Sequence, residues 1–476
     1  MKNSITGIMR RYLVLLVTFV LIACSPVRKY QSLPSVLAWE EDIQRFEELD
    51  KTEVYPPDAI LFAGSSSIRL WSTLVADLAP YPIIQRGFGG SRLSDLAVYA
   101  ERIFEPHLCK AIVLFVANDI VGSDLDKSPE EVASLFKIVL KTIRKSHPVT
   151  PVFWIEVTPC SSRWKMWPEI QKATALIRRI CENQKNTYSI RTDFAFLNSE
   201  GKPKDELFIE DLLHLNTDGY AVWTEIIKKE LRKVVPLPKT KFIAHRGASY
   251  LAPENSLASS KLAWELGADA VECDIYLSKD NRIMVNHDGT TKRTSGTEYT
   301  IKDTHSDTLR KLDIGSLKDI KYKGEKIPFL EEIIQAVPAG KELVVEIKCG
   351  SEVLPELKRI INKFWEGKKF VFIAFDFQTI SDTKKTFPEN PCYWLCSNPD
   401  LLKKNLSKVP EAGLEGISLS WNIITREVTN EAGRLNLELF SWTVDNPDEA
   451  KRLISLGVKG ITTNRPGWLN EQIGKD

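Results

Sequence analysis

The sequence predicts two α/β units in tandem: an open parallel sheet with flanking helices, then a (β/α)8 barrel. Three observations carry that reading. Short apolar runs alternate with amphipathic stretches along most of the chain, the pattern of buried parallel strands and their covering helices. The alternation stops at Val235-Pro236-Leu237-Pro238-Lys239, where two closely spaced prolines favour an extended linker. Beyond that point the remaining ~240 residues have the length and the repeating strand and helix of such a barrel. The reading divides the chain into a leader (1–23), a first unit (24–235), a linker (236–240) and a second unit (241–476).

Composition narrows the class. The 476 residues carry 64 Lys+Arg against 63 Asp+Glu, with 43% hydrophobic and 27% charged residues. Those values fit a globular protein and exclude a disordered, collagen-like or multi-span membrane chain. A net charge of +1 gives no electrostatic case for nucleic acid. Eight Cys are too sparse for a disulfide scaffold.

The leader opens with Lys2, Arg10 and Arg11. Tyr12 to Ala23 is then apolar except for Thr18, and Cys24 follows directly. The run is shorter than the ~20 residues of a membrane-spanning helix, and its flanks are those of a secretory signal. Leu21-Ile22-Ala23-Cys24 resembles the bacterial lipoprotein box. The resemblance implies a lipidated Cys24 as mature N-terminus. An uncleaved anchor is the alternative, and either one places the body outside the cytoplasm on a membrane of the cell envelope. Seven Cys remain, an odd number, so at least one is unpaired or bonded to another chain. Whether Cys392 pairs with Cys396 is left open.

In the first unit, Val36–Leu49 reads as a helix. Ala59–Ala63, Pro82–Gln85, Ile112–Val116 and Val152–Val157 read as strands, and Glu130–Ser146 and Tyr220–Val234 as helices. Ile60 to Ser67 is an apolar strand running into small residues and a helix start. That puts a hydroxyl where backbone N–H groups favour a developing anion, although Ser at such a turn also serves as a plain N-cap. Arg86-Gly87-Phe88-Gly89-Gly90-Ser91 can form a tight turn or present an N–H to an oxyanion. Asn118, just past a strand, can cap or donate. Asp211-Leu212-Leu213-His214 spaces a carboxylate to orient an imidazole whose other nitrogen faces a nucleophile.

Taken in order, these four segments resemble the blocks of the SGNH (GDSL-type) hydrolases, over roughly Ser35 to Val235. The resemblance implies an SGNH-type sheet with Ser66 as nucleophile, His214 as general base and Asp211 as its orienting acid. It also implies an oxyanion hole made of the Ser66 N–H, the Gly90 backbone and the Asn118 side chain. Gly64–Ser67 matches the subgroup with Gly-Ser-Ser-Ser in the first block. Val116 stands where the third block usually has Gly, which is expected to reshape the acyl pocket.

In the second unit the strand candidates are Phe242–His245, Ala270–Ile275, Ile283–His287, Leu343–Lys348, Phe370–Phe375, Gly416–Leu419, Leu439–Val444 and Gly460–Thr463, with Tyr393–Leu395 a weaker ninth. Ser278-Lys279-Asp280-Asn281 is too short for a crossover helix and marks a hairpin. Counting around its turn places His287 roughly opposite Glu272. Period-2 alternation puts Glu272 and Asp274 on one face of their strand, and Glu346 and Lys348 on one face of theirs. Acids on a buried face are costly unless paired or metal-bound. An internal salt-bridge network with Lys348 and Arg246 is one outcome; a hard-oxygen site for Ca²⁺ or Mg²⁺ is the other. His245 and His287 suit acid and base roles beside a phosphate, Arg246 suits a phosphate oxygen, and Lys348 adds positive charge.

His245-Arg246-Gly247-Ala248, Pro253-Glu254-Asn255, Glu272-Cys273-Asp274, His287-Asp288, Glu346-Ile347-Lys348, Trp442-Thr443-Val444 and Thr462-Thr463-Asn464-Arg465-Pro466 resemble the signatures of the glycerophosphodiester phosphodiesterases. The resemblance runs from about Lys241 to Leu469 and implies a TIM barrel. It makes His245 and His287 the acid/base pair. It assigns the cation to Glu272, Asp274 and Glu346 with Glu254 close by, phosphate to Arg246 and Lys348, and the substrate pocket to Trp442. It also implies attack by a substrate hydroxyl on phosphorus, giving a cyclic phosphate that water opens. Asn464 stands where many relatives have Asp and is expected to lie off the chemistry. His107, His147 and His305 have no partners in sequence and are expected at the surface.

The expected function is a bifunctional envelope hydrolase. The barrel would cleave glycerophosphodiesters with a divalent cation, and the first unit would cleave an acyl or acetyl ester without one. Substrates would be small or lipid-derived, and no protein partner is expected. The alternatives are acylated or phosphodiester-linked envelope glycans as substrates, or a binding protein with one inactive domain.

Overall fold

The computed structural model describes residues 27–364 and 367–474. Cys24 and the leader lie outside the described residues. The chain forms two compact units, divided between Leu237 and Pro238. Among the described residues no helix is long and apolar enough to cross a membrane.

The first unit is a parallel sheet of β1 (Ile60–Gly64), β2 (Ile83–Gly87), β3 (Ala111–Phe115), β4 (Val152–Ile155) and β5 (Thr187–Ile190), in the order β2-β1-β3-β4-β5. Strand alternation splits its apolar residues between two cores. Leu61, Ala63, Ile112, Leu114 and Trp154 face helices Glu40–Thr52, Leu93–Phe104, Pro129–Ser146 and Trp167–Asn183. Phe62, Val113, Phe115 and Ile155 face helix Thr217–Arg232. Helix Pro129–Ser146 shows why these segments are helical. Ser128 accepts from the Glu131 N–H, Pro129 stands at the first position, acids fill the first turn and Arg144 and Lys145 the last.

Several expectations are corrected here. The helix expected over Val36–Leu49 is two helices, Pro34–Leu37 and Glu40–Thr52. Trp39, at the break, donates from Nε1 to Asp95 and sets its ring edge-on to Phe88. Val116 is buried and, with Ala117, Asp119 and Ile120, lines a cavity of the first unit. His107 and His147 are buried, not superficial. The His107 carbonyl lies 2.9 Å from His147 Nε2, and His107 Nε2 lies 3.4 Å from Asp50 Oδ1. His305 is exposed.

The second unit is a closed barrel of eight parallel strands: β6 (Lys241–Ala244), β7 (Ala270–Leu277), β9 (Glu342–Ile347), β10 (Lys369–Ala374), β11 (Cys392–Cys396), β12 (Gly416–Ser420), β13 (Glu438–Trp442) and β14 (Gly460–Thr463). β6 pairs with both β7 and β14, which closes the ring. Ile243, Ala270, Val344, Val371, Tyr393 and Phe440 fill its interior. β8 (Ile283–Val285) is antiparallel to β7 and stands outside the ring, so the weaker ninth candidate is a barrel strand and the hairpin arm is not. The hairpin register pairs Ile275 with Val285, and the Asn286 N–H donates to the Asp274 carbonyl. Continued past the strand end, that register sets His287 against Cys273, one residue from the expected Glu272. The seven Cys from Cys109 to Cys396 form no disulfide among the described residues.

Candidate active sites

In the first unit the ends of β1, β2 and β3 are tied together. The Ser65 N–H donates to the Phe115 carbonyl and the Phe88 N–H to the Gly64 carbonyl, both at 2.9 Å. Gly64 has φ +139°, and a Cβ there would strike the Phe115 carbonyl oxygen at 1.9 Å, so only glycine allows this turn. Ser66 then opens the helix Ser66–Arg69. Its Oγ lies 2.9 Å from His214 Nε2, and His214 Nδ1 lies 2.5 Å from Asp211 Oδ2. A carboxylate accepts only, so Nδ1 carries the proton and the Ser66 hydroxyl donates to Nε2. The same Asp211 accepts from the Leu213 and His214 N–H groups at 2.9 Å, a tight turn with Leu212 at φ +52°. Burial alone would raise the Asp211 carboxyl, but these hydrogen bonds outweigh it and hold it below its ordinary range.

Gly90 and Asn118 adjoin one another: a Cβ on Gly90 would lie 3.8 Å from Asn118 Nδ2. That nitrogen donates to the Ser91 carbonyl at 3.1 Å. Arg163 donates to the Asn118 side-chain oxygen and to the Ala117 carbonyl. Nothing in the spacing of the sequence pointed to Arg163, which lies 45 residues beyond Asn118.

In the barrel, β7 carries Glu272 and Asp274 and β9 carries Glu346, and each offers an oxygen within 4.8 Å of the others. All three are buried. Among the described residues Glu272 Oε1 has no hydrogen-bond partner, and Asp274 Oδ1 has only Lys348 Nζ at 3.7 Å. Burial first, then the charges of its neighbours, pushes Glu272 well above its ordinary value and Asp274 in the same direction. Orphaned, mutually repelling carboxylate oxygens fit a hard divalent cation better than a closed salt-bridge network. Arg246 has φ +57°, and its N–H reaches Glu272 at 2.8 Å. The next residue, Gly247, has no room for a Cβ, which would lie 2.4 Å from Ser259 Oγ.

Glu254, expected with the cation ligands, is not in this group. Arg246 and Arg293 occupy both its oxygens. Burial alone would raise its carboxyl, yet the two guanidinium groups hold it down at about 2. Arg246 also approaches Asp274 at 3.3 Å. Lys348 donates to Glu346 at 2.7 Å and faces His287 Nε2 at 3.3 Å. Asp288 lies 2.7 Å from His287 Nδ1. Trp442 is half-buried, donates to the Ser418 carbonyl and packs edge-on against Phe375, whose ring lies 5.7 Å from Lys348 Nζ.

Asn464 is the main correction at this site. Its Oδ1 accepts from His245 Nδ1 at 2.8 Å, while its Nδ2 donates to Asp445 at 2.7 Å. Asp445 can only accept, which fixes the amide and leaves the His245 Nε2 lone pair free. Burial, then the charge of Arg246, pulls His245 down to about 4. Asn255 grips Asp274 through both amide atoms, and Ser256 caps the helix Leu257–Glu265.

Buried acids on two barrel strands, with one histidine just past β6 and another just past the hairpin arm β8, define a phosphodiester-hydrolase type of centre. The family model for the glycerophosphoryl diester phosphodiesterase family matches residues 245–468. A glycerophosphodiester phosphodiesterase of Caldanaerobacter subterraneus subsp. tengcongensis is 34% identical over 247 residues, 50% of this chain and 99% of that one. YhdW of Bacillus subtilis is 30% identical over 231 residues, 48% of this chain and 95% of that one. Among solved structures, an Oleispira antarctica phosphodiesterase in complex with the product sn-glycerol-3-phosphate matches with TM-score 0.48 and 25% identity, over 50% of this chain and 98% of that one. Through its barrel the chain belongs to the glycerophosphoryl diester phosphodiesterase family.

Proposed function

We propose that the chain is a two-site hydrolase of the cell envelope, with the barrel releasing glycerol phosphate from glycerophosphodiesters and the first unit acting as an SGNH-type serine esterase. The barrel half rests on the three buried carboxylates gathered beside two oriented histidines. Glu272, Asp274 and Glu346 would hold the cation, Ca²⁺ or Mg²⁺. When bound, it stabilises negative charge on the phosphate oxygens. Arg246 and Lys348 line the same edge and bind phosphate.

The two histidines divide the proton work. His245 is buried against a neutral amide and stays uncharged, so its Nε2 takes the proton of the attacking glycerol hydroxyl. His287 is oriented through Nδ1 by Asp288, so its Nε2 faces the leaving group and protonates the departing alcohol oxygen as the P–O bond breaks. Water then opens the cyclic phosphate with the roles reversed: His287 takes its proton and His245 returns one to the glycerol oxygen.

In the first unit, Ser66 attacks an ester carbonyl and passes its proton to His214, which Asp211 orients. The Ser66 N–H, the Gly90 backbone and Asn118 Nδ2 receive the oxyanion. The ordered contact Ser66–His214–Asp211 supports this half. Removing acyl chains from a phospholipid would produce the barrel's substrate. A lipidated Cys24 would keep both sites at a membrane surface. The test is glycerol phosphate release by the chain from Ser25 onward, with Ca²⁺, Mg²⁺ or EDTA, beside His287→Ala. Release that EDTA and the substitution both abolish is expected. Release indifferent to EDTA would sink the barrel assignment, and attack on sugar acetates but on no glycerolipid ester would sink the pairing.

A further inference from the structure

Arg163 lies half-buried in the 3-10 segment Ser161–Met166. Its guanidinium bonds two neutral oxygens, the Ala117 carbonyl through Nη1 and Asn118 Oδ1 through Nη2. No carboxylate forms an ion pair with it among the described residues. Burial lowers its pKa from the ordinary value. A half-buried cation whose bonds go to neutral oxygens, with Asp119 and Asp126 attracting it only from beyond ion-pair distance, is costly, and its place beside the Gly90–Asn118 edge calls for a reason.

The reason is the Asn118 amide. Turned over, it would set Oδ1 against the Ser91 carbonyl and Nδ2 against the Arg163 donors, two repulsive contacts at once. As it stands, Oδ1 accepts from Arg163 and Nδ2 points to the Gly90–Ser91 loop. We propose that Arg163 is a positioning residue of the Ser66 site. It locks the Asn118 side chain so that Nδ2 is presented to the oxyanion, and its positive charge stands behind that donor. The inference rests on Ser66 being the nucleophile. The planar fork matters, because one end holds the residue 117 backbone and the other the residue 118 side chain. A lysine ammonium supplies the charge without the two fixed directions.

A fluorophosphonate probe tests this without knowledge of the ester substrate. Its phosphorus is attacked by the serine oxygen, fluoride leaves, and the phosphoryl oxygen takes the place of the oxyanion. The labelling rate at Ser66, located by mass spectrometry, is measured on the whole chain for Arg163→Met, Arg163→Lys, Asn118→Ala and the two double variants. Arg163→Met is expected to slow labelling roughly 10–100-fold, and Arg163→Lys to recover only part of the loss. In the Asn118→Ala background either change is expected to cost less than about twofold, because the group it acts through is gone. A loss that multiplies in full in that background, or no loss in the native one, overturns the inference. A merely structural Arg163 would lower the melting temperature and slow labelling equally in both backgrounds. If Arg163→Met does not fold, the Lys cycle decides alone. Absence of any adduct on Ser66 in the native chain would instead remove the nucleophile assignment, and this inference with it.

Discussion

In the first unit, Asp211 and His214 stand three residues apart on one turn, and their side chains remain 41% and 21% exposed. In the barrel, Glu272, Asp274 and Glu346 come from two strands some 70 residues apart and are buried. The first arrangement is assembled by local chemistry: one carboxylate fixes the turn and the ring together. The second is assembled by topology, since nothing local brings acids together against their own repulsion. The difference teaches where each site is vulnerable. Loss of one exposed group leaves the first site's neighbours intact, whereas the barrel's groups depend on a counter-charge that the chain supplies only in part, through Arg246 and Lys348.

Selective substitution should therefore separate the two. The largest effect is expected from Ser66→Ala, which should lower ester hydrolysis by roughly 10⁵–10⁶-fold while glycerol phosphate release is unchanged. A phosphodiesterase that fell with it would break the comparison. Next comes cation removal. Chelation should reduce glycerol phosphate release by at least ~10³-fold and leave fluorophosphonate labelling of Ser66 at its native rate. Slower labelling in EDTA would show that the first site also depends on a cation.

The smaller effect of Asn464→Ala would sharpen the contrast in how histidines are held. It removes the acceptor that fixes His245 and should lower kcat/KM of the barrel by roughly 10–100-fold, with the affinity for the cation unchanged. An unaltered kcat/KM would return Asn464 to the bystander role that its substitution for Asp suggested. The case also shows what was legible. Period-2 alternation exposed Glu272 and Asp274, and the Asp211–His214 spacing exposed the turn, because both are relations between near neighbours. Asn464 lies 219 residues from His245 and Asn255 lies 19 from Asp274; those contacts exist only after the ring closes. The hairpin was legible as well, because a short turn between two apolar arms brings His287 to within one residue of Glu272 by counting alone. β11 looked weak because only Tyr393–Leu395 was counted, without the flanking cysteines.

The remaining contrast concerns buried charge away from chemistry. The first unit keeps such a cluster: Arg86 is 1% exposed and pairs with Asp50, which also faces His107. Burial, with Arg86 and His147 adding to it and Asp50 opposing, lowers His107 to about 4 from its ordinary 6.5. In the unfolded chain it would titrate normally. Between those values the unfolded state binds a proton that the folded state refuses. Stability of this unit is therefore full above pH 6.5 and falls as the pH drops toward 4, by about 2–3 kcal/mol from this residue. His107→Gln removes that proton. It should cost stability at pH 7.5, where it disturbs a packed neutral ring, and the deficit should shrink by about that amount at pH 4.5. Denaturant unfolding read through loss of Ser66 labelling measures both. Parallel pH profiles for the two chains would place the acid sensitivity elsewhere. A converging pair would show that this unit is weakened by acid through the buried Arg86–Asp50–His107 cluster, whereas in the barrel the deepest buried charges among the described residues belong to the candidate site itself.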